Sequence, residues 1–220
     1  TQWFRTSDNT FQGAGEQWLS ATAPGGYNGT NVGWILDTAA NNITFGTNKQ
    51  YRIRTRATDI STPAKVQTSY NDRLFTYDTS YPSSTIQSPS TASHLITSVP
   101  TISGTAVDTT PGKVDKVQIL VQRVAGDQYF NPPSSWGGSL WLDTSYSTTT
   151  KFWVYTSTTP TWLANYYYRI KVKAIDTASP GGNATVELSS ATFQYDPSRP
   201  YSEVKVPALA YYSSLATISG

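Results

Sequence analysis

The chain has 220 residues, a net charge of +2, no cysteine and no methionine. Without cysteine there is no disulfide framework, no thiolate metal site and no cysteine nucleophile. A charged fraction of 14% with so small a net charge argues against nucleic acid as a partner, and no run of about 18 apolar residues offers a membrane span.

In chain order, the first clear element is Tyr51-Arg-Ile-Arg-Thr-Arg-Ala-Thr-Asp59. Tyr51, Ile53, Thr55 and Ala57 share one face and Arg52, Arg54 and Arg56 the other, the period-2 pattern of a half-buried strand. Phe75-Thr-Tyr77 closes the segment. Thr101-Ile-Ser-Gly-Thr-Ala106 predicts a strand in which the glycine marks a bulge or a close backbone approach. Next, Val117, Ile119 and Val121 alternate with Gln118, Leu120 and Gln122, which fall on the wet face. Phe152-Trp-Val-Tyr155 is a further strand. In 168–176, Tyr168, Ile170, Val172 and Ala174 oppose Arg169, Lys171 and Lys173, and Thr192-Phe-Gln-Tyr195 follows. Turn signals at Pro111-Gly112, Asn131-Pro-Pro133, Gly137-Gly138 and Pro180-Gly-Gly-Asn183 separate these strands. Helical periodicity is nearly absent. Many short strands spaced by turns predict an all-β chain of antiparallel sandwich type.

The chain repeats itself. Tyr51-Arg-Ile-Arg returns as Tyr168-Arg-Ile-Lys, 117 residues later. Phe75-Thr-Tyr-Asp returns as Phe193-Gln-Tyr-Asp after 118, and Pro100-Thr-Ile-Ser-Gly104 as Ala216-Thr-Ile-Ser-Gly220 after 116. Trp18 and Trp34 correspond to Trp141 and Trp153, and all four are expected in the core. A period of about 117 fits one sandwich of roughly 100 residues. The expected domains are 1–80, a repeat without its opening strands; 81–198, a complete repeat; and 199–220, the opening strands of a further one. Residues 1–80 cannot close a sandwich alone, because missing strands expose core and sheet edges. Either the chain continues covalently, or the tail completes another subunit by strand addition. The lack of methionine even at position 1 is expected of a processed or excised piece, with any signal peptide outside it. The joints Tyr77-Asp-Thr-Ser-Tyr-Pro82 and Tyr195-Asp-Pro-Ser-Arg-Pro200 predict stiff links, since proline restricts itself and its predecessor to extended backbone.

Candidates for chemistry are few. His94 is the only histidine, and a Ser-His-Asp triad would rest on it alone; no catalytic residue is assigned. Asp59, Asp78, Asp176 and Asp196 recur at strand ends. Calcium is the alternative reading for them, but without an Asp-x-Asp cluster the residues favour turn capping. Trp3, Trp136, Trp162, Tyr166, Tyr167, Tyr211 and Tyr212 fit the repeat less well. They are candidates for domain or subunit contact, with stacking on glycans as the alternative. Tyr51 and Tyr168, each opening the strongest strand, suggest a tyrosine corner, its hydroxyl tied to upstream backbone. The rows Arg52, Arg54, Arg56 and Arg169, Lys171, Lys173 could meet a polyanion, though such rows are more often a solvated sheet face. Asn28-Gly-Thr30, Asn42-Ile-Thr44 and Asn183-Ala-Thr185 match the N-glycan acceptor pattern.

Pro100-Thr-Ile-Ser-Gly-Thr-Ala-Val-Asp108 with Val114-Asp-Lys-Val-Gln-Ile119, then 168–176 and Thr192-Phe-Gln-Tyr-Asp196, resemble bacterial immunoglobulin-like repeats. That resemblance implies a tandem module of a large secreted or cell-surface protein: an adhesin, stalk or extracellular filament. Its partners would be neighbouring repeats or identical subunits, head to tail. It transfers no catalytic residue and no cofactor.

Overall fold

The structure, a computed structural model, describes residues 3–5, 10–12, 15–23, 33–90, 95–99, 101–211 and 213–220. His94, Tyr212 and the Asn28-Gly-Thr30 triplet lie outside them. The secondary structure is all-β and its sheets are overwhelmingly antiparallel. Among the described residues no helix is long and apolar enough to cross a membrane. The chain divides into two compact units: Thr1–Ser80 with Thr110–Gly112, and Tyr81–Thr109 with Lys113–Gly220.

The first unit holds two hairpins. β1 (Trp3–Arg5) pairs with β2 (Thr10–Gln12), and β3 (Lys49–Thr55) with β4 (Asn71–Tyr77), Tyr51 opposite Phe75. The alternation read for 51–57 does not appear as alternating burial: Tyr51 is half-buried, but Ile53 is exposed and Arg54, expected on the wet face, is half-buried. None of the unit's described residues is buried. Its apolar centre is a cluster of half-buried rings: Tyr51 lies 4.9 Å from Phe45, 5.0 Å from Phe11 and 5.5 Å from Phe75, between centroids.

The second unit is built from β5 (Ser83–Ser88), β6 (Leu95–Ile96), β7 (Ile102–Val107), β8 (Val114–Arg123), β9 (Gln128–Asn131), β10 (Ser135–Gly137), β11 (Leu142–Asp143), β12 (Ser145–Tyr146), β13 (Phe152–Tyr155), β14 (Tyr167–Asp176) and β15 (Ser189–Tyr195). One sheet runs β12-β13-β7-β5. The other runs β10-β9-β8-β14-β15-β6, with β11 also on β8. The β15–β6 pairing is parallel. The two sheets face each other over one core. Ile102, Ala106, Trp153 and Tyr155 enter it from the first sheet, and Val117, Ile119, Val121, Tyr168, Ile170, Val172 and Phe193 from the second. Each fully buried aliphatic side chain here contributes about 1.5–3 kcal/mol, and β14, paired on both sides, carries the largest share.

Two packing expectations need correction. Leu120 and Gln122, assigned to the wet face of β8, are buried; the following turn folds back so that Gln122 donates to Asp127. Of the four recurring tryptophans only Trp153 is core. Trp34 is 48% exposed, and Trp18 and Trp141 are half-buried beneath cations, Arg56 at 4.0 Å from the Trp18 ring and Lys173 at 4.2 Å from the Trp141 ring.

Candidate functional site

Matching local ties hold the strongest hairpin in each unit. The Gly46 N–H donates to Tyr51 Oη at 2.8 Å, and the Leu163 N–H to Tyr168 Oη at 2.7 Å. Each bond spans five residues and anchors the loop that enters the strand, as a tyrosine corner does. Past the strand, Thr58 bridges Val66 in one unit and Ile175 bridges Ala184 in the other. Both bridges close loops headed by an aspartate.

Those aspartates are caps. Asp59 Oδ1 accepts from the N–H groups of Ser61 (3.2 Å) and Lys65 (2.7 Å) and from Ser61 Oγ. Asp176, 2% exposed, accepts from the N–H groups of Ala178 (2.9 Å) and Asn183 (2.6 Å) and from Asn183 Nδ2 (2.8 Å). Asp78 takes the N–H of Ser80 at 2.9 Å, and Asp196 that of Ser198 at 3.0 Å, each with the serine hydroxyl as well. The Lys65 N–H first, then Ser61, holds the Asp59 carboxyl below the usual range. For Asp196 the Ser198 hydroxyl leads and its N–H follows. In the second unit, carboxylate oxygens of Asp176 and Asp108 lie within 4.8 Å of each other; the three donors to Asp176 already account for its orientation.

The candidate contact aromatics divide. Trp136 and Trp162 are not free platforms, because both pack on the second unit's core. Trp162 meets Tyr168 edge-on at 4.7 Å and Phe193 at 5.5 Å. Phe45, 117 residues earlier, stands in the same relation to Tyr51 and to Phe75, the latter at 5.4 Å. Trp162 therefore does fit the internal pattern, which a change of residue type obscures in the sequence. Trp136 lies against Phe130 and Tyr168 with the Arg123 guanidinium over its ring. Trp3 is half-buried, with Arg54 5.8 Å from its ring. Tyr166, Tyr167 and Tyr211 are exposed.

The basic rows are partly engaged. Arg54 forms a fork with Asp72, Nε–Oδ1 2.9 Å and Nη2–Oδ2 3.2 Å, also donates to Glu16, and stacks on Tyr70. Asp72 is held below the ordinary range, chiefly by that bond. Burial first, then nearby Lys116, pushes the Lys173 ammonium down. Arg52, 3.8 Å from Asp72 Oδ2, and Arg56, over the Trp18 ring, are exposed but also engaged.

The feature with the most specific geometry is a glycine close approach that occurs twice. On β7, a Cβ added at Gly104 would lie 1.9 Å from the Thr85 carbonyl oxygen and 2.8 Å from Trp153 Cζ2. Only glycine lets β5 and the indole close there. Trp153 Nε1 then donates to the carbonyls of Thr85 and Thr105, both at 3.2 Å. At the C-terminus, a Cβ at Gly220 would lie 1.9 Å from the Glu203 carbonyl oxygen. Val206 bridges Ser219, just as Ser88 pairs with Ser103 in the β5–β7 hairpin. Residues 203–206 and 219–220 thus pair as the two ends of a second, shorter hairpin of the β5–β7 kind. Its apolar residues are exposed: Val204 at 69% and Ile218 at 74%, against 0% for Ile102. The sequence marked both glycines through the Thr-Ile-Ser-Gly echo; the indole slot is visible only in the structure.

No family model, curated protein or solved structure matches the chain.

Proposed function

We propose that the chain is a non-enzymatic, load-bearing piece of a tandem array of immunoglobulin-like sandwiches with a period near 117 residues, belonging to a long secreted or cell-surface protein that forms a stalk, fibre or filament. The carrying observation is the doubled set of ties: the tyrosine corner, the aspartate-capped loop after it, and the Asp-x-Ser cap at the end of the next strand, all recurring 117 or 118 residues apart. The strand order of the second unit supports the same reading. β5-β7-β13-β12 corresponds to strands A-B-E-D, and β8, β14 and β15 to C, F and G with β9 and β10 as the added edge. Tyr168 stands near the start of F, as a tyrosine corner requires. One departure is plain: the buried tryptophan is on the fifth strand, E, rather than on C, and the core is closed by the Gly104–Trp153 contact instead of a disulfide.

Under this reading the work is mechanical. Sheets joined by backbone hydrogen bonds resist extension, and each Asp-x-Ser cap fixes the exit of a last strand toward the following proline. The glycan-binding alternative loses two of its aromatics, since Trp136 and Trp162 are committed to the core.

Force spectroscopy tests the proposal. Residues 81–198 should unfold in one cooperative event releasing roughly 400 Å of contour length at about 3.5 Å per residue. Gradual extension without such an event would refute a load-bearing sandwich.

A further inference from the structure

Two exposed apolar surfaces of the chain have one common template. In the second unit the β5–β7 hairpin lies against β14 and β15, buries Ile102 and Ala106, and offers Gly104 to Trp153. The first unit has the counterpart of the covered side. β3–β4 matches β14–β15 in register, with Tyr51 opposite Phe75 as Tyr168 is opposite Phe193. Yet Ile53 is 45% exposed where Ile170 is 0%, and Trp34 is 48% exposed where Trp153 is 0%. The C-terminal hairpin has the counterpart of the covering side, with Val204 and Ile218 in solvent. The first three atoms that a Cβ at Gly220 would meet are all backbone of Glu203 and Val204, with no indole among them.

We propose that the hairpin at 203–220 of one molecule seats on the β3–β4 face of a second copy of this chain, with Trp34 of that copy inserted over Gly220. This inference rests on the tandem-module reading. By the template, the Trp34 indole N–H donates to the Glu203 carbonyl as Trp153 donates to that of Thr85, and Ile218 enters the aromatic cluster around Tyr51. A second copy is the fitting occupant because each chain carries both halves, and because no residue of β3–β4 needs to change partners to receive the hairpin. The contact is heterologous, head to tail, so it propagates into an open filament rather than closing into a dimer. It combines strand addition with an aromatic anchor in a pocket, the two devices that give such contacts affinity and register.

Sedimentation velocity on the intact chain over rising concentration, with amide exchange of β3 and β4, tests this. Concentration-dependent oligomers are expected, with exchange in β3–β4 slowing as they form. Excess synthetic peptide 200–220 should return them to monomer. Trp34→Ala and Ile218→Asp should each weaken association by about thirtyfold or more, as loss of a hot-spot anchor does. Both residues are exposed in the single chain, so the unfolding of 81–198 should be unchanged. A chain that stays monomeric at all concentrations, whether β3–β4 exchanges freely or is protected by its own tail, overturns the proposal. If 81–198 still unfolds as one event in that case, the tandem-module reading stands without the docking.

Discussion

Two hairpins of matching sequence pattern end in different environments. β14–β15 and β3–β4 share a tyrosine tied five residues upstream, an aspartate-capped loop and an Asp-x-Ser exit. Yet Tyr168, Ile170 and Phe193 are buried, whereas Tyr51 and Phe75 are half-buried and Ile53 is exposed. The difference is the second sheet. Around β14–β15, β5, β7 and β13 bring Ile102 and Trp153 across the core. Among the described residues of Thr1–Ser80, only other half-exposed rings serve that purpose. Local hydrogen bonds therefore set the hairpin's shape, and the facing sheet sets its stability.

The sharpest way to break this comparison is at the tryptophans. Trp153→Ala should cost about 3–5 kcal/mol, the usual penalty for emptying a buried aromatic site. Trp34→Ala should change the stability of the single chain by no more than about 0.5 kcal/mol, as exposed substitutions do. Urea denaturation of both variants measures the contrast, and equal losses would erase it.

Next come the glycines. Gly104→Ala drives a methyl into the Thr85 carbonyl and the Trp153 ring, and should destabilise the second unit by about 1–3 kcal/mol, as overpacking does. Gly220→Ala meets a backbone carbonyl at the same distance, but in a hairpin with no core above it. In the single chain it should leave the main thermal transition in place and alter the exchange of the amides at Lys205, Val206 and Ser219.

A smaller effect is expected at the tyrosine corners. Tyr168→Phe takes away the acceptor of the Leu163 N–H and should cost about 0.5–1.5 kcal/mol, the net worth of an ordinary hydrogen bond. Tyr51→Phe leaves the N–H of Gly46, which is already exposed, to water and should cost a few tenths of a kcal/mol at most. Thermal unfolding of the pair resolves the ratio.

The smallest effect is acid sensitivity. Asp59 and Asp72 titrate below their ordinary range because hydrogen bonds favour their charged forms. Their stabilisation is complete above the unfolded carboxylate pKa of about 3.9 and is lost as pH falls through the lower folded values. Amide protection at the ends of β3 and β4, taken relative to the unfolded chain at each pH, should stay constant from pH 6 to 4 and fall only below that. A fall beginning between pH 6 and 5 would assign the control to other groups.

Much of this was legible from residue order. The alternation in 168–176 appears in the structure as a strand whose every second side chain is buried, because a strand's side-chain period is fixed at two. The caps at Asp59 and Asp196 follow from an acceptor placed two residues before a donor. The burial of Leu120 and Gln122 was not legible, because alternation assigns them to the wet face and the structure buries both faces of β8 there. Trp162 was not, because its counterpart is Phe45 and only the shared ring contacts reveal the match. Trp34 misled for the opposite reason: it keeps the residue type of Trp153 without the glycine strand that buries Trp153.

By itself, then, the sequence determined strand period, turn placement and the local ties, all of which act over a few residues of backbone. Only the tertiary structure decided which of the matching hairpins has a core. Burial belongs to two surfaces at once, and a chain segment encodes its own face but not the presence of the one that covers it.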